Sequence, residues 1–398
     1  MSEKNKKKKN KNFLLIRDGF FNTVLSLFTC YLLSLLFFNI SFFNPIVKVL
    51  KDFSFLDTYY AEKLNQAKAI DTNIVLVNIG HEKRPKLLSA LQKLTESKAK
   101  VIGLDVILKR FEETSVDTLL AETINHKKVV SASIVEPNGA KITNHSFFIH
   151  EGTEGFVNFN FDTQNTVIRE FNGIFNTENG QHYSFALALA KKFLDDNKTS
   201  ILEKKTRQPR VINYSGNIDS YVHLSVDELL SLENNNMLLE GKIVLMGYLG
   251  SPTANIFDVE DKHFTPLNKI AAGKSPPDMY GLVVHANILS MLIDDNFMYK
   301  VSKFWYGFIM FLCSLFASIY FIWLSRRLKI SYRTVREAVL LVFSVLFIWF
   351  SLLLFKKGIV LKTLPIIAAT IFSAGFVKYY KHLIRFIKTK RKFKSYLK

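Results

Sequence analysis

Carboxylate and imidazole side chains at the ends of apolar runs are the groups in this chain best suited to chemistry. Asp105 closes the run Val101-Ile-Gly-Leu-Asp-Val-Ile107. A carboxylate that ends an apolar strand is partly buried and must be paired or hydrogen-bonded. Two roles are open to it: a cap or ion pair that fixes the next loop, or contact with a ligand. Arg169 follows a turn on a β-forming stretch. It suits a structural salt bridge to a loop carboxylate or the recognition of an anion. Asp258, Asp261 and His263 share one long loop, and His285 and Asn287 lie on the helix that follows. Imidazole with carboxylates can ligate a divalent metal. Their spacing fits no metal signature, and a hydrogen-bonded histidine packing loop to helix explains the same residues, so no metal is expected.

Other chemistries are excluded by pattern. Gly247-Tyr-Leu-Gly-Ser251 follows a strand but lacks the Gly-x-x-x-x-Gly-Lys-Ser/Thr of a phosphate loop. There is no Gly-x-Ser-x-Gly nucleophile elbow and no His-Glu-x-x-His. The two cysteines, Cys30 and Cys313, both sit in apolar runs. That excludes a disulfide framework and a CxxC zinc site from the middle of the chain. The expectation is a protein that is not an enzyme and carries no cofactor.

The elements that must hold these residues alternate between strand and helix. Ile74–Ile79 is a short apolar run ending at Gly80, which predicts a buried strand. Lys86–Ser97 reads as an amphipathic helix, Val101–Ile107 as a second strand, Val116–Asn125 as a helix and Val129–Val135 as a third strand. Strand–helix–strand at these spacings builds a mainly parallel sheet. Gly155–Phe161 and Val167–Phe171, with a turn at Asp162–Asn165, read as a hairpin. Tyr183–Leu194 reads as a helix, Arg210–Tyr214 as a strand, Val226–Leu232 as a short helix and Lys242–Gly247 as a strand. A loop from Tyr248 to Asp278 leads to a last helix, Leu282–Asp294. Ligands bind outside the carboxyl ends of strands in such sheets. Gly80–Arg84, Asp105 and Gly247–Asp258 should therefore converge on one crevice, with Gly247 at a turn that often takes positive φ.

Charge is segregated along the 398 residues. The net charge is +19, yet residues 44–303 carry 29 Lys+Arg against 31 Asp+Glu. The flanks hold 24 basic and 3 acidic residues and border long uncharged apolar runs. This is a membrane pattern, and a nucleic-acid partner is not expected. Four runs approach or exceed the ~20 residues that cross a hydrocarbon core: 19–42, 304–324, 338–355 and 359–377. The first is too long for the apolar region of a signal peptide and reads as an uncleaved anchor. Lys362 can snorkel to the interface near the start of the fourth.

Orientation follows from the basic residues. Segment 1–18 holds seven, the loop between spans two and three holds five, and the tail 378–398 holds nine. The connection between spans three and four holds three: Lys356, Lys357 and Lys362. Twenty-one against three puts both termini in the cytoplasm and 44–303 outside it. The Lys/Asn/Ile/Phe-rich composition suggests a low-GC bacterium, hence its inner membrane. Pro45–Leu64 has helical spacing and should lead out of the membrane. The tail, with Leu383, Phe386 and Ile387 among basic residues, reads as an amphipathic helix on anionic lipid. Membrane lipids and a separate membrane or cytoplasmic protein are the expected partners, with a homo-oligomer also open.

Several pieces, in order, resemble the type-two CHASE family of cyclase/histidine-kinase-associated sensory extracellular domains. They are Ile74–Ile79, Lys100-Val-Ile-Gly-Leu-Asp105, Gly155-Phe-Val-Asn with Ile168-Arg169, Ser184–Ala190, Ile212-Asn-Tyr-Ser-Gly216, Leu239–Gly247, Thr265-Pro266 and Tyr280-Gly-Leu-Val-Val-His-Ala-Asn287. The resemblance covers about residues 44–300. It implies an α/β extracytoplasmic sensory domain between one N-terminal and three C-terminal transmembrane helices. It also adds Thr265 to Asp105, Arg169, Asp258, His285 and Asn287 as candidate ligand contacts.

Two features depart from the family pattern. Gly80-His-Glu-Lys-Arg-Pro85 stands where an Asp-rich turn and a Trp-Pro segment are usual. The chain also stops about 20 residues after the fourth run, where relatives usually continue into a kinase, cyclase or phosphatase. The expected function is therefore a sensor input that signals through a separate partner. The alternative is an assembly component that uses the domain as a protein-binding module.

Overall fold

The computed structural model describes the chain outside residues 1–2, 40–69, 113, 137, 150–152, 160–166, 179, 234–236, 252–258, 269–275, 329–330 and 398, and outside the side chains of 3–9, 36–39 and 114. The expected Pro45–Leu64 helix, the Asp162–Asn165 turn and Asp258 lie outside the described residues. The chain divides into two compact units, Leu50–Met298 and Met1–Val49 with Tyr299–Lys398.

The N-terminal helix α1 spans Glu3–Asn39 and belongs to the second unit. The first unit opens with β1, Asp71–Asn78, then helix α2, Arg84–Glu96, with Pro85 in its first turn. Proline suits that position because its missing N–H has no helical partner there. Strand β2 is Val101–Leu104, α3 is Thr114–Ile124 and β3 is Val129–Val135. Short β4, Lys141–Ile142, and β5, Thr153–Phe156, follow. Next come β6 (Glu170–Phe171), β7 (Ile174–Thr177) and β8 (Gly180–Tyr183). Helix α4, Phe185–Phe193, is capped by the Ser184 hydroxyl, which accepts from the Leu187 N–H. Helix α5 (Asp196–Thr206), β9 (Arg210–Val211), β10 (Tyr221–Ser225) and α6 (Val226–Ser231) lead to β11, Ile243–Gly247. Strands β12 (Lys262–His263) and β13 (Met279–Tyr280) precede α7, Gly281–Ile293.

The main sheet runs β10-β1-β11-β2-β3, with β5 paired to the next edge of β3. These pairings are all parallel, and β4 alone runs antiparallel, beside the end of β3. Side chains alternate between two buried faces, as strands covered on both sides require. Val75, Val77, Ile102, Leu104, Val244 and Met246 pack with leucines of α2, α3 and α6. Helices α4 and α7 cover the other face. Full burial of each such aliphatic side chain contributes about 1.5–3 kcal/mol.

The expected hairpin of Gly155–Phe161 with Val167–Phe171 is not formed by the described residues. Instead β5 joins the main sheet beside β3, β6 pairs with β9, and Val167 bridges Phe264. The hairpin in this region is β7 with β8.

The second unit adds β14 (Tyr299–Lys300), α8 (Lys303–Arg327), α9 (Tyr332–Lys356), β15 (Ile359–Val360) and α10 (Thr363–Lys390). Segment Asn10–Leu35 of α1 and these three helices are long and apolar enough to cross a membrane. Small and polar residues let α1, α8 and α10 approach closely, as membrane packing favours. The Asn22 amide donates to Ser318 Oγ (2.9 Å) and to the Ser373 carbonyl (3.0 Å). Ser26 Oγ lies 2.7 Å from Ser373 Oγ. The basic tail is not a separate surface helix: α10 continues unbroken to Lys390. Tyr396 and Leu397 are then buried against the cluster that includes Leu14 and Leu15.

Candidate functional site

The chain leaves β2 toward the face of α3 and leaves β11 toward the face of α7. Carboxyl ends of neighbouring strands that part this way open a crevice. A pocket of about 410 Å³ lies there, in the size range of small-molecule sites. Asp105 from the end of β2, Phe159 from the segment after β5, Asp261 and His263 from β12 and its approach, and His285 from α7 line it. Ile134, Val157 and Ile168 supply its apolar wall.

Asp105 continues the ladder through its N–H, which donates to the Met246 carbonyl (2.8 Å). Its carboxyl keeps some surface on the pocket and has no hydrogen-bond or ion-pair partner among the described residues. Burial, with a lesser push from the Asp261 charge, raises it to about 7. Asp261 has a positive φ of 53° and accepts from the Gly281 N–H (2.9 Å). Its carboxylate lies against the start of α7: a Cβ on Gly281 would stand 3.0 and 3.1 Å from its two oxygens. The positive end of the helix favours an anion there. His263 Nε2 is 3.7 Å from Asp261 Oδ1.

His285 is 3% exposed. Its ring lies 4.4 Å from Phe159 and 5.3 Å from Phe185, centroid to centroid. Its Nδ1 is buried with no hydrogen-bond partner among the described residues. Burial, helped by nearby His263, lowers it to about 3, so the ring is neutral and offers one donor and one acceptor. Among the described residues no group of three or more His, Cys, Asp or Glu could hold a metal ion.

The structure brings Asp105 and His285 together and leaves the other described candidates outside the pocket. Asn287 is occupied by backbone: its Oδ1 accepts from Ser215 N (2.7 Å) and Gly216 N (3.2 Å). Its Nδ2 donates to the Gly216 and Val283 carbonyls, each at 2.9 Å. It clamps the Ser215-Gly216 loop to α7. Thr265 is buried, and its N–H and hydroxyl both donate to the Asp278 carboxylate. Ile168, not Arg169, lines the pocket; the Arg169 carbonyl accepts from Ile212 N (2.9 Å). Gly80–Arg84 joins the loop after β11 through Asn78, whose Oδ1 accepts from Gly80 N and Leu249 N, each at 2.9 Å. That knot does not line the pocket. The sequence carries no signal that singles out Phe159, one of three phenylalanines in Gly155–Phe161.

A family model of the CHASE2 domain matches residues 35–320. No curated protein and no solved structure matches the chain. The match spans well over half of the chain, including the whole parallel α/β unit from β1 to α7, and the chain belongs to the CHASE2 domain family.

Proposed function

We propose that this protein is a bacterial inner-membrane sensor whose extracytoplasmic CHASE2 domain binds a small cue and passes the change to a separate partner protein. One observation carries the reading: a small-molecule-sized pocket at the strand ends holds a half-buried carboxyl and, in its wall, a buried imidazole Nδ1, neither paired within the described residues. Polar groups left unpaired in a fold cost stability, and a ligand that pairs with an accessible one recovers it. The bias of basic residues supports both termini on the cytoplasmic side, with the pocket outside.

Thermal unfolding of the detergent-purified full chain, screened against small metabolites, tests this. Ile134→Trp fills the pocket wall and serves as the matched control. Compounds should stabilise the wild type and not the filled variant, since a ligand bound to the native state raises its stability by mass action. If no compound separates the two proteins, the pocket is not an input site, and a role in assembling an envelope complex takes its place.

A further inference from the structure

The charge and donor balance of the pocket restricts what it can take. Its lining holds two carboxyls, Asp105 and Asp261, and neither lysine nor arginine is among the described residues that line it. The cationic candidate there, His263, already faces Asp261 at 3.7 Å. His285 contributes a neutral ring whose buried Nδ1 accepts when the proton sits on Nε2. Phe159 lays an aromatic ring beside it.

An anion entering this lining meets like charge, with no guanidinium or ammonium among the described lining residues to pair with. An uncharged ligand suits the protonated Asp105 carboxyl but leaves its ionised form without a counter-charge. A primary ammonium satisfies these features: its charge and N–H donors pair with the Asp105 carboxylate in the negative field of Asp261, and the Phe159 ring attracts it further. A divalent ion would need a ligand cluster that the described residues do not form.

We propose that the pocket beyond β2 and β5 binds a small organic primary ammonium compound, with Asp105 as anionic anchor, Asp261 supplying the negative field and Phe159 as the aromatic wall. This rests on the sensor reading and names the chemical class of its cue. Asp105 must shed its proton to pair with an ammonium. The charged and titratable groups that share its pocket are Asp261, His263 and His285. Binding should tighten as pH rises, by about tenfold between pH 6 and pH 8 for an anchor carboxyl near 7.

The test uses the detergent-purified full chain and four probes: putrescine, its uncharged isostere 1,4-butanediol, its anionic counterpart succinate, and Mn²⁺. Titration calorimetry and thermal unfolding should show saturable putrescine binding at millimolar or lower concentration, stronger at pH 8 than at pH 6. Butanediol and succinate should not bind. Asp105→Asn should lose at least tenfold in putrescine affinity; if that variant does not accumulate, Asp261→Asn should weaken binding in the same direction. Failure of putrescine to bind, undiminished binding to a folded Asp105→Asn, or Mn²⁺ binding in its place overturns the assignment. Binding of butanediol or succinate that Ile134→Trp abolishes would also overturn it, while leaving the sensor reading intact. Only a screen in which no compound distinguishes wild type from Ile134→Trp removes the sensor reading as well.

Discussion

Asp105 and Gly247 stand side by side at the ends of neighbouring parallel strands. A Cβ built on Gly247 would lie 3.1 Å from the Asp105 Cβ and 2.9 Å from Leu282 Cδ1. The glycine thus lets the pocket carboxyl, β11 and the first turn of α7 share one crowded corner. Gly247 is not among the positive-φ residues, so the expectation of a left-handed turn there is replaced by close packing.

Gly247→Val should destabilise the domain through overpacking, a class of change that costs about 1–3 kcal/mol. Gly247→Ala should cost less, because the flexible end of Leu282 can give way. Thermal unfolding of the two purified variants checks the order Val, then Ala, then wild type. A valine variant that melts with wild type would show that the corner has room.

Asp105 and His285 should impose opposite pH dependences on stability. Asp105 is raised from 3.8 to about 7 in the fold, so the stability it contributes is full below about pH 4 and is lost as pH rises toward 7. His285 is lowered from 6.5 to about 3, so its contribution is full above about 6.5 and is lost as pH falls toward 3. The two slopes oppose each other in the wild type. Asp105→Asn should leave the His285 slope, with stability rising from about pH 3 to 6.5. His285→Gln should leave the Asp105 slope, with stability falling from about pH 4 to 7. Denaturant unfolding at several pH values reads both. Parallel profiles for the two variants would refute the assignment of these buried states.

The central strands were legible because each is a short apolar run with two buried faces. Ile74-Val-Leu-Val77 and Ile243-Val-Leu-Met246 have no other stable use in so polar a domain. Edge strand β10 escaped notice because Tyr221-Val-His-Leu-Ser225 buries only Tyr221 fully. Helix α5 did so because only Leu202 and Thr206 on it are buried, too few for an amphipathic stripe. The hairpin was misassigned for another reason. Alternation around Gly155–Phe161 marks a strand but cannot choose between a neighbour in sequence and β3, some twenty residues back. Asp105 stood out as a lone acid at a strand end. Its convergence with Asp261, Phe159 and His285 is made by loop closure, which no local pattern encodes.

The proposed topology predicts where reporters work. A periplasm-dependent reporter fused after Asp196, in the first turn of α5, should be active. The same reporter fused at Lys398 should be silent, because on this topology the side with twenty-one basic residues against three is the cytoplasmic one. Activity at Lys398 would reverse the four-span orientation.

The C-terminal segment should be held by Asp18. This carboxylate is fully buried and accepts from Arg17 Nη2 (2.9 Å), Ser395 Oγ (2.6 Å) and the Tyr396 N–H (2.7 Å). Arg326 Nη1 donates to the Tyr396 carbonyl and Lys388 Nζ to that of Leu397, each at 2.7 Å. The Arg326 guanidinium also stands 4.8 Å from the centre of the Tyr396 ring. Hydrogen bonds to a charged group contribute about 1.5–3 kcal/mol each. Losing those from Ser395 and Tyr396 should loosen the segment, which then rests on the Arg326 and Lys388 bonds and the burial of Tyr396 and Leu397. Asp18→Ala should therefore speed tryptic cleavage at Arg391, Lys392 and Lys394 in inverted membrane vesicles. Ser395→Ala, which removes the bond to Asp18 and the one its hydroxyl accepts from Leu397 N but no charge, should give an intermediate rate. Cleavage of all three proteins at one rate would show that the tail is held by something other than Asp18, such as the lipid surface that its basic residues suggest.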